Sequence, residues 1–124
     1  MAQDSIAELD ARLLEFAQAR DWEQFQSPKN LSMALAGEVG ELLEHFQWLT
    51  EQQSYELTPE KHDDAALELA DIFIYLIRLA NRMNIDLIEV ANRKCTINES
   101  RYPAEIVKGS AKRAEDYARD DIKD

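Results

Sequence analysis

The 124 residues include one cysteine, three glycines, three prolines and two histidines, and 14 lysines and arginines stand against 25 aspartates and glutamates. Each shortage excludes something. The single cysteine, Cys95, permits no intrachain disulfide and fits a reducing, cytoplasmic setting. So few glycines and prolines leave too little turn chemistry for an all-β or collagen-like chain. A net charge of -11 argues against holding DNA or RNA polymers, which depends on basic side chains displacing counterions from phosphates. The longest strongly apolar run, Ile72 to Ile77, stops at Arg78 and is too short to span a membrane. Met1 to Asp4 is acidic where a secretory signal is basic.

What is present is helical periodicity. From Ile6 to Phe25 the residues Ile6, Leu9, Leu13, Phe16 and Ala17 recur at three- and four-residue intervals, and Ser27-Pro28 interrupts the pattern. Asn30 is a candidate cap for a second helix, whose apolar stripe runs from Leu31 through Val39, Leu42 and Leu43 to Leu49. Thr50 to Tyr55 shows no period. Thr58-Pro59 opens a third helix reaching about Met83, and Leu67 to Ala80 within it is apolar nearly all round. Such a helix must be covered on every side, so a homodimer or homotetramer burying Ile72, Phe73 and Leu76 is expected. Asn84 ends it, Asp86 to Glu89 caps a fourth helix, and Arg101-Tyr102-Pro103 closes that one. The expected architecture is an all-α antiparallel bundle of about four main helices, an obligate homo-oligomer, with residues 104–124 a polar tail that is a short helix or disordered.

Two motifs carry chemistry: Glu38-Val39-Gly40-Glu41 on the second helix and Glu68-Leu69-Ala70-Asp71 on the third. At i, i+3 two side chains share a helical face about 4.5 Å apart along the axis. If the two helices fold back as a hairpin, the first pair lies about 14 Å before the turn and the second about 16 Å after it, at nearly one level. Four carboxylates at one level in apolar surroundings form a hard-oxygen box suited to Mg²⁺ or Mn²⁺. The alternative for Glu38 and Glu41 is a solvated helix face. Neither pair contains the histidine of a di-iron bundle motif. His45 and His62 are read as surface or helix-end residues, although His45, one turn beyond Glu41, is also placed as an outer partner of a ligand. Cys95 reads as a small buried hydrophobe.

The blocks Arg20-Asp21-Trp22-Glu23-Gln24-Phe25, Pro28-Lys29-Asn30-Leu31, Gly37 to Leu42, Phe46-Gln47-Trp48, Glu68 to Asp71, Lys94, Ile97-Asn98 and Arg101-Tyr102-Pro103, in that order, closely resemble the MazG-like all-α nucleoside triphosphate pyrophosphohydrolases. The dCTP-hydrolysing type is the nearest, and the MazG-like domain is taken as residues 1–103. The resemblance implies hydrolysis of a deoxynucleoside triphosphate, dCTP or a related or modified one, to monophosphate and pyrophosphate with Mg²⁺, as nucleotide-pool house-cleaning. It implies Glu38, Glu41, Glu68 and Asp71 as metal ligands, with Glu38 or Glu41 acting on the attacking water. It also implies Trp22 and Trp48 beside the base, Tyr75 and Asn98 on the nucleotide, and Lys94, Arg101 and Tyr102 on the phosphates. One departure is Leu13, where vertebrate members carry a histidine near the base, so base preference stays open.

The residues alone leave other roles open. Trp22 and Trp48 are stacking platforms or packing residues, Tyr75 a site or core residue, and Lys94 and Arg101 phosphate clamps or solvated cations. The rival to an enzyme is a non-catalytic helical module that senses nucleotides or binds a partner.

Overall fold

The computed structural model describes residues 5–117, so Met1 to Asp4 and the end of the expected tail, 118–124, lie outside the described residues. It is all-helical among those residues: α1 (Ile6–Ala19), a 3-10 turn (Glu23–Phe25), α2 (Pro28–Glu44), α3 (Glu51–Ser54), α4 (Pro59–Arg82), α5 (Leu87–Arg101) and α6 (Ala104–Val107). The chain divides into two compact units, Met1–Ile85 and Asp86–Asp124. None of these helices is long and apolar enough to cross a membrane.

Most helix starts follow from local chemistry. Ser5, Ser27, Thr50, Thr58 and Asp86 each accept a backbone N–H from three residues on, satisfying a donor the helix cannot use. The second helix is capped by Ser27 and not by Asn30, because Pro28 sits at the first helical position, where its missing N–H costs nothing. Asn30 is inside the helix and donates from Nδ2 to the carbonyl of Phe25 at 3.0 Å. The stretch from Thr50, without visible period, contains a reciprocal capping box: Thr50 Oγ1 accepts the N–H of Gln53 and Gln53 Oε1 accepts the N–H of Thr50.

Two helices end differently from the periodicity. The first was expected to reach Phe25 but stops at Ala19, because Asp21 takes a left-handed conformation (φ 53°) and the N–H groups of Trp22 and Asp21 return to the carbonyls of Ala17 and Gln18. Asn84 (φ 55°) closes α4 in the same manner, with Ile85 bonding back to Ala80. The second helix was expected to continue to Leu49 and ends at Glu44, where tight turns take over as His45 and Phe46 donate to Leu42 and Leu43.

In the first unit α2 and α1 both pack on α4. Its buried apolar residues are Ala17, Leu31, Ala65, Ile77 and Ala80. A polar network joins them: Arg78, only 3% exposed, donates from Nε to Gln26 Oε1 (3.1 Å) and from Nη1 to Asn81 Oδ1 (3.3 Å). Asn81 in turn donates to Asp10 Oδ2 on α1 at 3.1 Å, and Arg82 Nε donates to the carbonyl of Gln26. The network ties α1 and the 3-10 segment to the C-terminal half of α4. The expected apolar helix is therefore not enclosed within its own chain: Arg78 is buried, while Leu67 and Leu69 are 61% and 56% exposed.

In the second unit α5 buries none of its residues, and Cys95, expected inside, is exposed, since no other long helix of that unit covers it. The described part of the tail is ordered by Tyr117, which stands edge-on to Tyr102 at 6.1 Å and accepts the N–H of Lys112.

Arg78→Ala should lower unfolding free energy by about 3 kcal/mol in urea titration, because it removes a buried hydrogen-bonding group and leaves Gln26 Oε1 and Asn81 Oδ1 without their donor.

Candidate metal centre

Glu38 and Glu41 project from α2 and Glu68 from α4, and each offers a carboxylate oxygen within 4.8 Å of those of the other two. The helices run antiparallel at this level: Asp71 acts on Glu38, while His45, further along α2, meets Glu68, earlier on α4. Two of the four expected ligands are partly buried, Glu38 and Glu68, and Glu41 and Asp71 are exposed. Asp71 is not one of the three close carboxylates, although its charge reaches Glu38.

Like charges this close oppose one another. The Glu38 carboxyl accordingly sits at about 7 instead of its ordinary 4.5. Burial is the largest cause, followed by the hydrogen-bond contact and charge of Glu41, the charge of Asp71 and the contact with Glu68. Oε2 of Glu38 and Oε2 of Glu68 are buried and have no hydrogen-bond partner. Buried acceptors without donors ask for a proton or a cation. Three hard oxygen donors, two of them with an unsatisfied buried atom, fit a divalent cation of the Mg²⁺ or Mn²⁺ kind. His45, at the C-terminal end of α2, brings Nε2 to 3.9 Å from Oε1 of Glu68.

The aromatic candidates are not core residues. Trp22 is 46% exposed and packs edge-on against Phe16, which also carries Arg20 over its ring, and Trp48 is 86% exposed. Tyr75 is half-buried on α4, one turn beyond Asp71. Lys94, Asn98 and Arg101 lie on α5, followed by Tyr102, in the second unit. There Arg101 stands over the Tyr102 ring at 5.7 Å and pairs with Glu115 at 3.6 Å.

The sequence model of the MazG-like family matches residues 34–117, a span holding all three close carboxylates. The chain belongs to the MazG-like family. Among its relatives, dCTP pyrophosphatase 1 of Rattus norvegicus is 45% identical over 107 residues, covering 85% of this chain and 63% of that protein. The Homo sapiens dCTP pyrophosphatase 1 is 46% identical over 101 residues, 80% of this chain and 59% of its own length. The chain thus spans about three fifths of the length of these relatives. A crystal structure of a pyrophosphatase from Archaeoglobus fulgidus superposes with a TM-score of 0.77 at 36% identity, covering 83% of this chain and 96% of that one. The all-helical MazG-like fold is therefore common to both.

In the folded, cation-free protein Glu38 keeps its proton up to about pH 7, whereas the unfolded chain loses it near 4.5. Between those values the folded state binds more protons, so this group makes stability fall as pH rises. In EDTA, Glu38→Gln should flatten that part of the Tm against pH profile. Added Mg²⁺ should raise Tm more at about pH 8 than at about pH 5.5, because binding requires the ionised carboxylate.

Proposed function

We propose that the chain is a Mg²⁺-dependent pyrophosphohydrolase that splits a deoxynucleoside triphosphate, dCTP or a related or modified one, between its α and β phosphates. The observation that carries this is the convergence of Glu38, Glu41 and Glu68 from two antiparallel helices with two buried oxygens unsatisfied. Family membership and the relatives named as dCTP pyrophosphatase support the reaction and the base.

In this reading Glu38, Glu41 and Glu68 hold the cation, with Asp71 completing the set. When bound, the cation supplies positive charge against the triphosphate and lowers the pKa of a water, with Mn²⁺ as a possible substitute for Mg²⁺. Glu38 or Glu41 would orient the attacking water and take its proton as the oxygen bonds to the α phosphorus. The bond from that phosphorus to the bridging oxygen breaks, and pyrophosphate leaves. Trp48 is largely exposed and Trp22 about half exposed, and stacking of a base on an aromatic ring contributes about 1 to 3 kcal/mol. Tyr75 and Asn98 contact the nucleotide, and Lys94, Arg101 and Tyr102 offset the phosphate charge.

Self-association belongs to the same proposal. Leu69, Phe73 and Leu76 share one exposed apolar face of the helix that carries Glu68, and covering it favours a homodimer or homotetramer.

Incubation with Mg²⁺ and separate dCTP, dATP, dTTP, dUTP and 5-methyl-dCTP should release monophosphate and pyrophosphate, most from a cytosine nucleotide. Silence across the panel with cation binding retained would favour a nucleotide-sensing module. Glu68→Gln should abolish turnover and weaken Mg²⁺ binding with helicity unchanged by circular dichroism. Sedimentation at micromolar concentration should show a dimer or tetramer, and a monomer would refute that part.

A further inference from the structure

We propose that His45 is a positioning residue for Glu68: its imidazole engages carboxylate oxygen Oε1 and so leaves the other oxygen, Oε2, to a divalent cation. The inference rests on the cation-binding reading above and adds to it a residue outside the four acids.

Three observations carry it. Nε2 of His45 lies 3.9 Å from Oε1 of Glu68, and the contact joins α2 to α4, so it fixes one helix's side chain from the other. Oε2 of the same Glu68 is buried and has no partner, so the two oxygens of this carboxylate are in different situations. The backbone of His45 is itself held, because its N–H donates to the carbonyl of Leu42 at the end of α2.

The physical need for such a partner comes from the acids themselves. Glu68 shares a small space with Glu38 and Glu41, and their mutual repulsion favours rotamers that carry its carboxylate away. A glutamate side chain also loses substantial rotamer entropy when fixed. An imidazole on the far oxygen opposes both tendencies, because it gives the inward rotamer a partner that an outward one lacks. At 3.9 Å the contact is longer than a hydrogen bond, so it acts as an electrostatic contact or through one bridging water. Ligating carboxylates are commonly held in this manner by hydrogen-bond partners that do not touch the metal, and removing such partners weakens metal affinity about 10- to 100-fold.

A helix-end histidine also interacts favourably with the helix dipole, which is the competing structural explanation for its place. The two are separable. His45→Leu keeps side-chain volume and removes the donor together with the ionisable ring, whereas His45→Gln restores a donor that can carry no charge for the dipole. Mn²⁺ alone, without nucleotide, is titrated into the purified full chain and followed by electron paramagnetic resonance, with helicity and metal-free Tm measured alongside. His45→Leu should weaken Mn²⁺ binding about tenfold, and His45→Gln should return it to within about twofold of the parent. Equal affinity in His45→Leu and the parent overturns the proposal, as does a His45→Gln variant no tighter than His45→Leu. His45→Ala is a second removal variant should the leucine fold poorly, with the same criteria. Glu68→Gln, run in parallel, separates the layers. If it loses Mn²⁺ while His45→Leu does not, only the positioning role falls; if the parent shows no saturable binding, the cation-binding reading falls with it.

Discussion

Several like-charged carboxylates held close together between two helices are the constraint around which the first unit is organised. Repulsion and desolvation both push Glu38 toward its neutral form, and a pKa near 7 records that pressure. A fold gains no stability from this arrangement by itself. Glu38 and Glu68 each keep a buried oxygen without a donor, so the acids are arranged for a positive guest and not for one another.

The rest of the unit keeps those acids together in spite of that pressure. Its two left-handed helix ends, at Asp21 and Asn84, stop α1 and α4 abruptly by returning the next N–H groups to the helix. The buried guanidinium of Arg78 then binds Gln26 and Asn81, and through Asn81 reaches Asp10, so α1 and the 3-10 segment are locked to the C-terminal half of α4. Glu68 stands in the N-terminal half of the same helix, facing Glu38 and Glu41 of α2, so the stabilising polar network and the acidic cluster are kept apart along α4. That separation lets a rigid scaffold tolerate a locally unfavourable site. The termination at Asp21 also sets Trp22 against Phe16 and leaves almost half of its surface open.

Membership of the MazG-like family agrees with this division of labour, since the matched span begins just before Glu38 and includes the whole of α4. The shared fold with an archaeal pyrophosphatase supplies the scaffold, while the chemistry depends on side chains placed at one level of a helix pair. The apolar surface of α4 beside Glu68 stays open in the single chain. Scaffold stability and exposed apolar area therefore meet on one helix.

By itself the sequence determined that the chain is helical, where α4 starts and stops, and that the pairs at 38/41 and 68/71 lie on α2 and α4, because caps and the 3.6-residue period are local properties. The capping box of Thr50 and Gln53 was missed because its segment carries no period, although Thr-x-x-Gln is itself a local cap signature. Packing alone decided what local rules do not encode. The apolar period continues past Asp21, yet the left-handed turn ends α1 before it. Cys95 sits on a helix whose own unit leaves it uncovered. Arg78 interrupts an apolar run and is buried because Gln26, at the end of the 3-10 segment, and Asn81, itself held by Asp10 of α1, converge on it. Asp71 shares Glu68's motif but is exposed and outside the three close carboxylates, whereas His45 comes to Glu68 across the helix pair. Side-chain direction around a helix axis, and the distance across to its neighbour, are fixed only when two helices choose their register.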